Sequence, residues 1–379
     1  MDTQTLQDAL ALLRPGDTIA VAAYFHEPRA FLAELHTAAA QVDNLSLWTS
    51  NVLGDHPIMG EACDRIHWLS SFYERHARAV HPRKQVTYYP SDLHATGAMM
   101  VEAQKPTVFA AAVPPMEPDG TYCISTSLQW EPECAAAADR IILEVNPAIP
   151  RADSPLRIPR ERVACAYEVG TPVPVLPYDP RITPEEAAIG GCVSELIHDG
   201  DCVQFGLGGT PGAVAAALTG KRDLGIHTEM LGNAMMNLIR SGAVTNRRKS
   251  LHPGRTVCTF ALGDEDALGF LREHPEVMFR PAAYTNHPGT IAQNENMVSV
   301  NTALQIDLLG QVSSETIGSR QYSGTGGALD FAYGAHSAPN GRSVIALSST
   351  AGGGTLSRIS GALPLGSACL LYTSDAADE

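Results

Sequence analysis

Short apolar runs alternate along the chain with stretches whose apolar residues recur at helical spacing. Thr18–Ala23, Thr107–Val113 and Arg140–Val145 are nearly continuous in Ala, Val, Ile, Leu and Phe, the pattern of strands covered on both faces. Pro28–Ala39, rich in Ala, Leu and Glu, reads as a helix, and the N-terminal MDTQTLQDALALLRPGD reads as an amphipathic helix closed by Pro15-Gly16. A β-α-β rhythm of this kind predicts an α/β fold with mostly parallel sheets covered by helices.

The rhythm breaks once. From Gly170 to Arg181 the chain reads GTPVPVLPYDPR, with four prolines and no period, and a helix is predicted to restart at Thr183-Pro184-Glu185-Glu186. The boundary predicts domains over 1–178 and 179–368, in keeping with a length of 379 residues, which exceeds what one core usually supports. After it come a helix to Leu196, a turn at Asp199-Gly200-Asp201, the strand Cys202–Phe205, a glycine loop and the helix Ala213–Leu218. Asp17–Ala23 and Asp201–Phe205 both follow a helix that ends in a Gly-Asp turn, a faint sign of two related halves. Residues 369–379, CLLYTSDAADE, have no period and can be read codon by codon as the adapter sequence of transposase-based library preparation. They are read as a non-native tail, with the second domain expected to lack its last strand and helices; a short polar tail is the alternative.

Composition narrows the classes. A hydrophobic share of 44% with 18% charged residues is that of a globular enzyme, and 33 Gly with 26 Pro predict many tight loops. The net charge of −15, with no basic cluster longer than Arg247-Arg248-Lys249, argues against nucleic acid as a partner. Eight cysteines without CxxC spacing read as reduced thiols rather than a zinc or disulfide framework, so no metal is expected. With no signal peptide and no run of about 18 apolar residues, the expectation is a cytoplasmic protein with no membrane partner.

Four stretches could carry chemistry. Gln204-Phe-Gly-Leu-Gly-Gly-Thr-Pro-Gly212 leaves a strand and enters a helix, with Pro211 expected near the first helical position. Its glycines would let backbone amides approach an anion or carbonyl, but the spacing is neither a phosphate loop nor a full dinucleotide fingerprint, and a plain strand-to-helix turn is the alternative. Leu224-Gly-Ile-His-Thr-Glu-Met230 is a short strand expected to carry His227 and Glu229 to its end, before a helix from about Asn233. A carboxylate there lies where parallel sheets bind ligands and can act as a nucleophile if desolvated and flanked by donors; a capping or salt-bridged Glu is the alternative. The Asn- and Gln-rich segments 284–289, 293–297 and 300–304 can orient carbonyls and amides or merely form turns. Two glycine clusters, Tyr322–Gly327 and Ser349–Thr355, flank the predicted strand Ser343–Leu347 and read either as ligand-approaching backbone or as flexible loops.

Taken together, these stretches resemble the acetyl-CoA hydrolase/transferase family, most closely its 4-hydroxybutyrate and butyrate:acetate CoA-transferase branch. The resemblance is carried by GIHTEM at 225–230, LHPG at 251–254, YTN at 284–286, AQNENMVSVNTALQIDLLGQVSSE at 292–315, and QYSGTGG with LDF at 321–331. PPMEPDGTYCIS at 114–125 and EVNPAIP at 144–150 extend it into the first half. It implies two tandem domains of the NagB/RpiA-like CoA-transferase fold, Glu229 as the nucleophile, and Gly206, Leu207, Gly208, Gly209, Asn301, Gly326 and Gly327 lining the CoA thioester. It also implies acyl-CoA and a short carboxylate as substrates, CoA as a temporary covalent group without a permanent cofactor, and a homo-oligomer. Three departures stand out: Leu231-Gly-Asn-Ala234 where Asp-Gly is usual, His287 where the family has Asp, and Gly352 in place of a Lys. The last would remove a charge-assisted phosphate contact of about 1–3 kcal/mol.

The implied reaction is CoA transfer through glutamyl-CoA. The rivals are acyl-CoA hydrolysis on the same Glu, a noncovalent nucleotide- or phosphate-binding protein that uses only the glycine loops, and a folded but inactive fragment.

Overall fold

A computed structural model describes residues 4–365 and 367; the tail read at 369–379 lies outside the described residues. The chain divides into two compact units, one of Met1–Pro177 with Thr259–Ala283, the other of Tyr178–Cys258 with Tyr284–Glu379. Residues 169–183 carry neither helix nor strand. This is the expected consequence of Pro172, Pro174, Pro177 and Pro180, each of which fixes φ and removes a backbone donor.

In the first unit the strands are β1 Thr18–Val21, β2 Ser46–Trp48, β3 His67–Ser70, β4 Val86–Tyr88, β5 Val108–Val113, β6 Arg140–Val145 and β7 Val163–Glu168. They form one sheet in the order β4-β3-β2-β1-β5-β6-β7, with every pairing parallel. β1 and β5 are buried at every position, which is why their text is continuously apolar rather than alternating. The helix α1 Leu6–Leu10 starts at a capping box between Thr5 and Asp8. The helix α2 Arg29–Ala38 buries Phe31, Leu32 and Leu35 completely, each worth about 1.5–3 kcal/mol of transfer free energy.

The second unit repeats the plan. The helix α3 Pro184–Glu195 begins at the predicted point, with Thr183 and Glu186 forming a capping box and Pro184 in the first turn. The strands β8 Cys202–Phe205, β9 Gly225–Leu231, β10 Thr256–Ala261, which the division between the units cuts after Cys258, β11 Met297–Asn301 and β12 Arg342–Ile345 follow. They lie in the order β10-β9-β8-β11-β12, and β8 pairs parallel with both β9 and β11, as β11 does with β12. Both units are therefore α/β with parallel sheets, as the periodicity predicts.

The faint repeat has a physical counterpart. Asp17, just before β1, accepts from Arg14 N at 2.7 Å and pairs with Arg140 at the start of β6 at 2.5 Å. Asp201, just before β8, accepts from His198 N at 2.8 Å and pairs with Arg342 at the start of β12 at 2.5 Å. In both units the arginine sits two strands away in the sheet order, so one buried carboxylate closes a turn and ties three strands at their amino ends.

Candidate active site

Each sheet reverses its winding direction at one place. In the second unit the chain moves from β8 outward to β9 and β10, then returns to place β11 on the other side of β8. The crevice at the carboxyl ends of strands flanking such a reversal is where open parallel sheets hold ligands. Cys202 stands opposite Gly225 and Val203 opposite Ile226, while Phe205 stands opposite Val300. Continuing those offsets brings Gly206 level with Glu229 on one side and Asn301 on the other.

Period-two alternation in β9 puts His227 and Glu229 on one face of the strand. The strand read at 224–230 is found over Gly225–Leu231, one residue further on, with Met230 and Leu231 both buried before Gly232 caps the helix α5 Asn233–Arg240. Apolar residues that continue to find cover keep the strand extended. Glu229 is thus held by backbone on both sides rather than on a loop.

The Glu229 carboxylate meets two donors. Asn286 Nδ2 donates to Oε2 at 2.8 Å, and the backbone N–H of Gly327 also donates to the carboxylate. Burial pushes its pKa up from the usual 4.5 to about 7, opposed by the Asn286 bond, reinforced by the negative charge of Asp330, and opposed again by Gly327. Gly327 caps the helix α6 Ala328–Ser337, so the positive end of that helix dipole also faces the acid. A Cβ on Gly327 would overlap both Glu229 Oε2 and Asn286 Nδ2. Glycine is required there by close approach. Its neighbour Gly326 takes φ +55°, a left-handed conformation that only glycine adopts cheaply.

Asn301, at the end of β11, is nearly buried and belongs to a polar chain across the reversal point. Ser299 Oγ donates to Gln204 Oε1 at 2.9 Å and Asn301 Nδ2 donates to Ser299 Oγ at 2.9 Å. Asn301 Nδ2 also approaches the Ala328 carbonyl at 3.5 Å, which ties β11 to the start of α6. The glycine loop departs from expectation in one respect. The helix after it, α4 Gly209–Ala217, begins four residues earlier than predicted, with Gly208 as its cap at φ +117°. Pro211 consequently falls on the third helical position rather than the first, still within the turn whose N–H groups have no intrahelical acceptor. Gly209 has a packing reason of its own, since a Cβ there would overlap the Glu186 carboxylate. Gly206 has open space around it, and Leu207 is 44% exposed.

Of the residues singled out from sequence, Glu229 and Gly327 are in direct contact, Gly326 adjoins them, Asn301 is linked through Ala328, Gly206 follows the end of β8, and Leu207, Gly208 and Gly209 lead from it into α4. Two residues with a direct effect on Glu229, Asn286 and Asp330, were not singled out. Both lie in quoted motifs, YTN and LDF, but an Asn in a turn-rich segment and an Asp in a first helical turn look like ordinary local formers. Lys249, the end of the longest basic cluster, is buried, with Nζ donating to the carbonyls of Ile226 and Arg255 at 2.8 Å each. The seven described cysteines are free thiols and six are buried. Among the described residues no helix is long and apolar enough to cross a membrane.

Residues 263–376 match the acetyl-CoA hydrolase/transferase C-terminal domain. Over 352 residues the chain is 36% identical to the succinyl-CoA:cyclohexane-1-carboxylate CoA transferase of Geobacter metallireducens, covering 93% of this chain and 80% of that protein. The chain belongs to the acetyl-CoA hydrolase/transferase family. It is also 38% identical over 283 residues to the 4-hydroxybutyrate coenzyme A transferase of Clostridium kluyveri, covering 74% of this chain and 66% of that protein. The crystal structure of RipA from Yersinia pestis superposes with a TM-score of 0.91 at 34% identity, covering 98% of this chain and 87% of that one. As a member of the acetyl-CoA hydrolase/transferase family, the chain is a CoA-transferring enzyme acting between an acyl-CoA and a carboxylate.

Proposed function

We propose that the chain transfers CoA between an acyl-CoA and a short carboxylic acid, such as acetate, butyrate or 4-hydroxybutyrate, through a glutamyl-CoA thioester on Glu229. The observation that carries this reading is the setting of Glu229: a half-buried carboxylate in the crevice beside β8, one oxygen held by Asn286 at 2.8 Å and a helix-capping amide donating to it, with burial pushing its pKa up to about 7. In water a carboxylate is a poor nucleophile toward a thioester; removing its hydration shell and fixing one oxygen leaves the other free to attack.

The ionised Glu229 attacks the acyl carbonyl, the C–S bond breaks, and a mixed anhydride forms with CoA thiolate as the leaving group. The thiolate then adds to the Glu229 carbonyl carbon, expelling the carboxylate of the first acid and leaving glutamyl-CoA. The second acid, as its carboxylate, reverses the two steps and leaves as a new acyl-CoA. When thiolate adds to the Glu229 carbonyl, the developing oxyanion is the oxygen that Asn286 Nδ2 already holds, and such a donor is worth about 3 kcal/mol. Gly206, Leu207, Gly208, Gly209, Asn301, Gly326 and Gly327 line the CoA side of the site in this reading. In this reading the unit of Tyr178–Cys258 with Tyr284–Glu379 supplies the nucleophile, and that of Met1–Pro177 with Thr259–Ala283 is its companion. Gly352, where the family has Lys, leaves CoA with one cationic contact fewer.

The test is peptide mass spectrometry after exposure to acetyl-CoA or butyryl-CoA without acceptor. CoA joined to Glu229, lost in Glu229→Gln and discharged by acetate, supports transfer. Discharge by water as fast as by acetate would make the enzyme a hydrolase instead. No adduct after rapid quenching of a protein that binds acyl-CoA would leave only the noncovalent reading.

A further inference from the structure

His227 and Glu229 project from the same face of β9, and they reach two consecutive residues of one segment. Glu229 meets the Asn286 side chain, and His227 Nε2 lies 2.8 Å from the carbonyl oxygen of Thr285. A carbonyl only accepts, so the imidazole proton is on Nε2 and the ring is the donor. We propose that His227 is a positioning residue for CoA transfer: by holding the Thr285 carbonyl it fixes the backbone from which the Asn286 amide reaches Glu229. The proposal rests on Glu229 as the nucleophile.

The surroundings of His227 fit a part that is fixed rather than titrating. The ring is fully buried, and Phe331 of α6 lies against it with centroids 6.1 Å apart and planes inclined at 53°. Burial pulls its pKa down to about 3, helped by the charges of Lys249 and His252 and opposed by the Thr285 bond. The ring therefore stays neutral over the whole range in which Glu229 titrates. Nδ1 has no hydrogen-bond partner among the described residues, so the one bond the ring makes is the one that fixes the segment. A leucine would fill much of the same space without leaving a buried polar atom, so the costs of an orphaned Nδ1 point to a use for the Nε2 donor.

The deciding experiment is a double-mutant cycle between His227→Leu and Asn286→Ala, reading the pH profile and rate of glutamyl-CoA formation from butyryl-CoA. The expected result for His227→Leu is a rate lower by about tenfold with KM changed by less than about twofold, and a midpoint above the wild-type one, because the Asn286 bond that favours ionised Glu229 is loosened. Asn286→Ala should give a like shift, and adding His227→Leu to it should change neither rate nor midpoint. His227→Gln, whose amide nitrogen can take the place of Nε2, should recover most of the rate. His227→Asn, too short to reach Thr285, replaces Leu if the latter does not fold. A folded His227→Leu or Asn protein with wild-type rate and midpoint, or a further tenfold loss in the Asn286→Ala background, overturns the proposal. Glu229→Gln run alongside separates the two levels: retention of the CoA adduct there removes the nucleophile assignment and this inference with it.

Discussion

At their amino ends the two sheets are built alike, and at their carboxyl ends they are furnished in opposite ways. Asp17 with Arg140 and Asp201 with Arg342 perform the same task at equivalent places. Beyond β1, however, the chain is pinned by buried polar groups: Glu131 accepts from Ala23 N, Ser127 Oγ, Gln129 N and Trp130 N. His26 Nδ1 donates to the Ala112 carbonyl while its Nε2 accepts from Ser125 N and Thr126 N, and Glu27 holds Leu53 N and His56. These bonds hold Tyr24 at φ +56°, a conformation that costs a non-glycine residue about 1 kcal/mol or more. Beyond β8 there are glycines with room around Gly206, and beside them stands an acid with only partial compensation for its burial. Burial raises the pKa of Glu131 as well, against its donors, so the difference lies in the surroundings: four donors enclose Glu131, while Glu229 meets two and stands beside open backbone.

The sharpest way to break that contrast is to exchange amide for acid on both sides. Glu229→Gln should abolish CoA transfer, by at least about 10⁴-fold, and leave the fold intact, as a stopped-flow assay and a thermal melt would show. Glu131→Gln should do the reverse. It leaves the rate per folded molecule unchanged and lowers unfolding free energy by about 3 kcal/mol in a denaturant titration, because a buried acceptor set with four donors is broken. Next in size, Gly327→Ala drives a methyl group into the Glu229 carboxylate and should cost about 100-fold in kcat.

Stability against pH sharpens the comparison, because Glu229 and His26 carry opposite signs. Glu229 has a folded pKa raised from 4.5 to about 7, so the folded state binds the extra proton between those values. Its ionisation removes up to about 3 kcal/mol as pH rises through that window, a loss that Glu229→Gln should abolish. His26 is lowered from 6.5 to about 4 by burial, against the Ala112 bond. Its contribution is complete above pH 6.5 and lost as pH falls toward 4, again about 3 kcal/mol, and hydrogen exchange of residues 18–27 should report it. The smallest expected effect is that of Asp330→Asn, which removes a like charge and should lower the midpoint of glutamyl-CoA formation by about half to one pH unit.

Much of this was legible in the chain. Continuous apolar runs specify strands covered on both faces, Thr183 with Glu186 specifies a helix start, and the prolines of 172–180 forbid regular structure, all through forces that act over a few residues. GIHTEM places an acid on a strand by period alone. The start of α4 was misjudged because Gly-Gly-Thr-Pro reads as a turn until Gly208 takes the cap and Gly209 is drawn against Glu186, a contact from another helix.

The amino-acid sequence by itself determined the α/β architecture, the strand that bears Glu229 and the glycines on which close approach depends, since each follows from local periodicity and backbone freedom. Only the tertiary structure decided what surrounds the acid. Asn286 lies 57 residues from Glu229 in the chain, and Gly327 and Asp330 arrive with another helix. Desolvation, the donors that oppose it and the neighbouring charge are properties of a place in space. No local pattern encodes the pKa of about 7 that results.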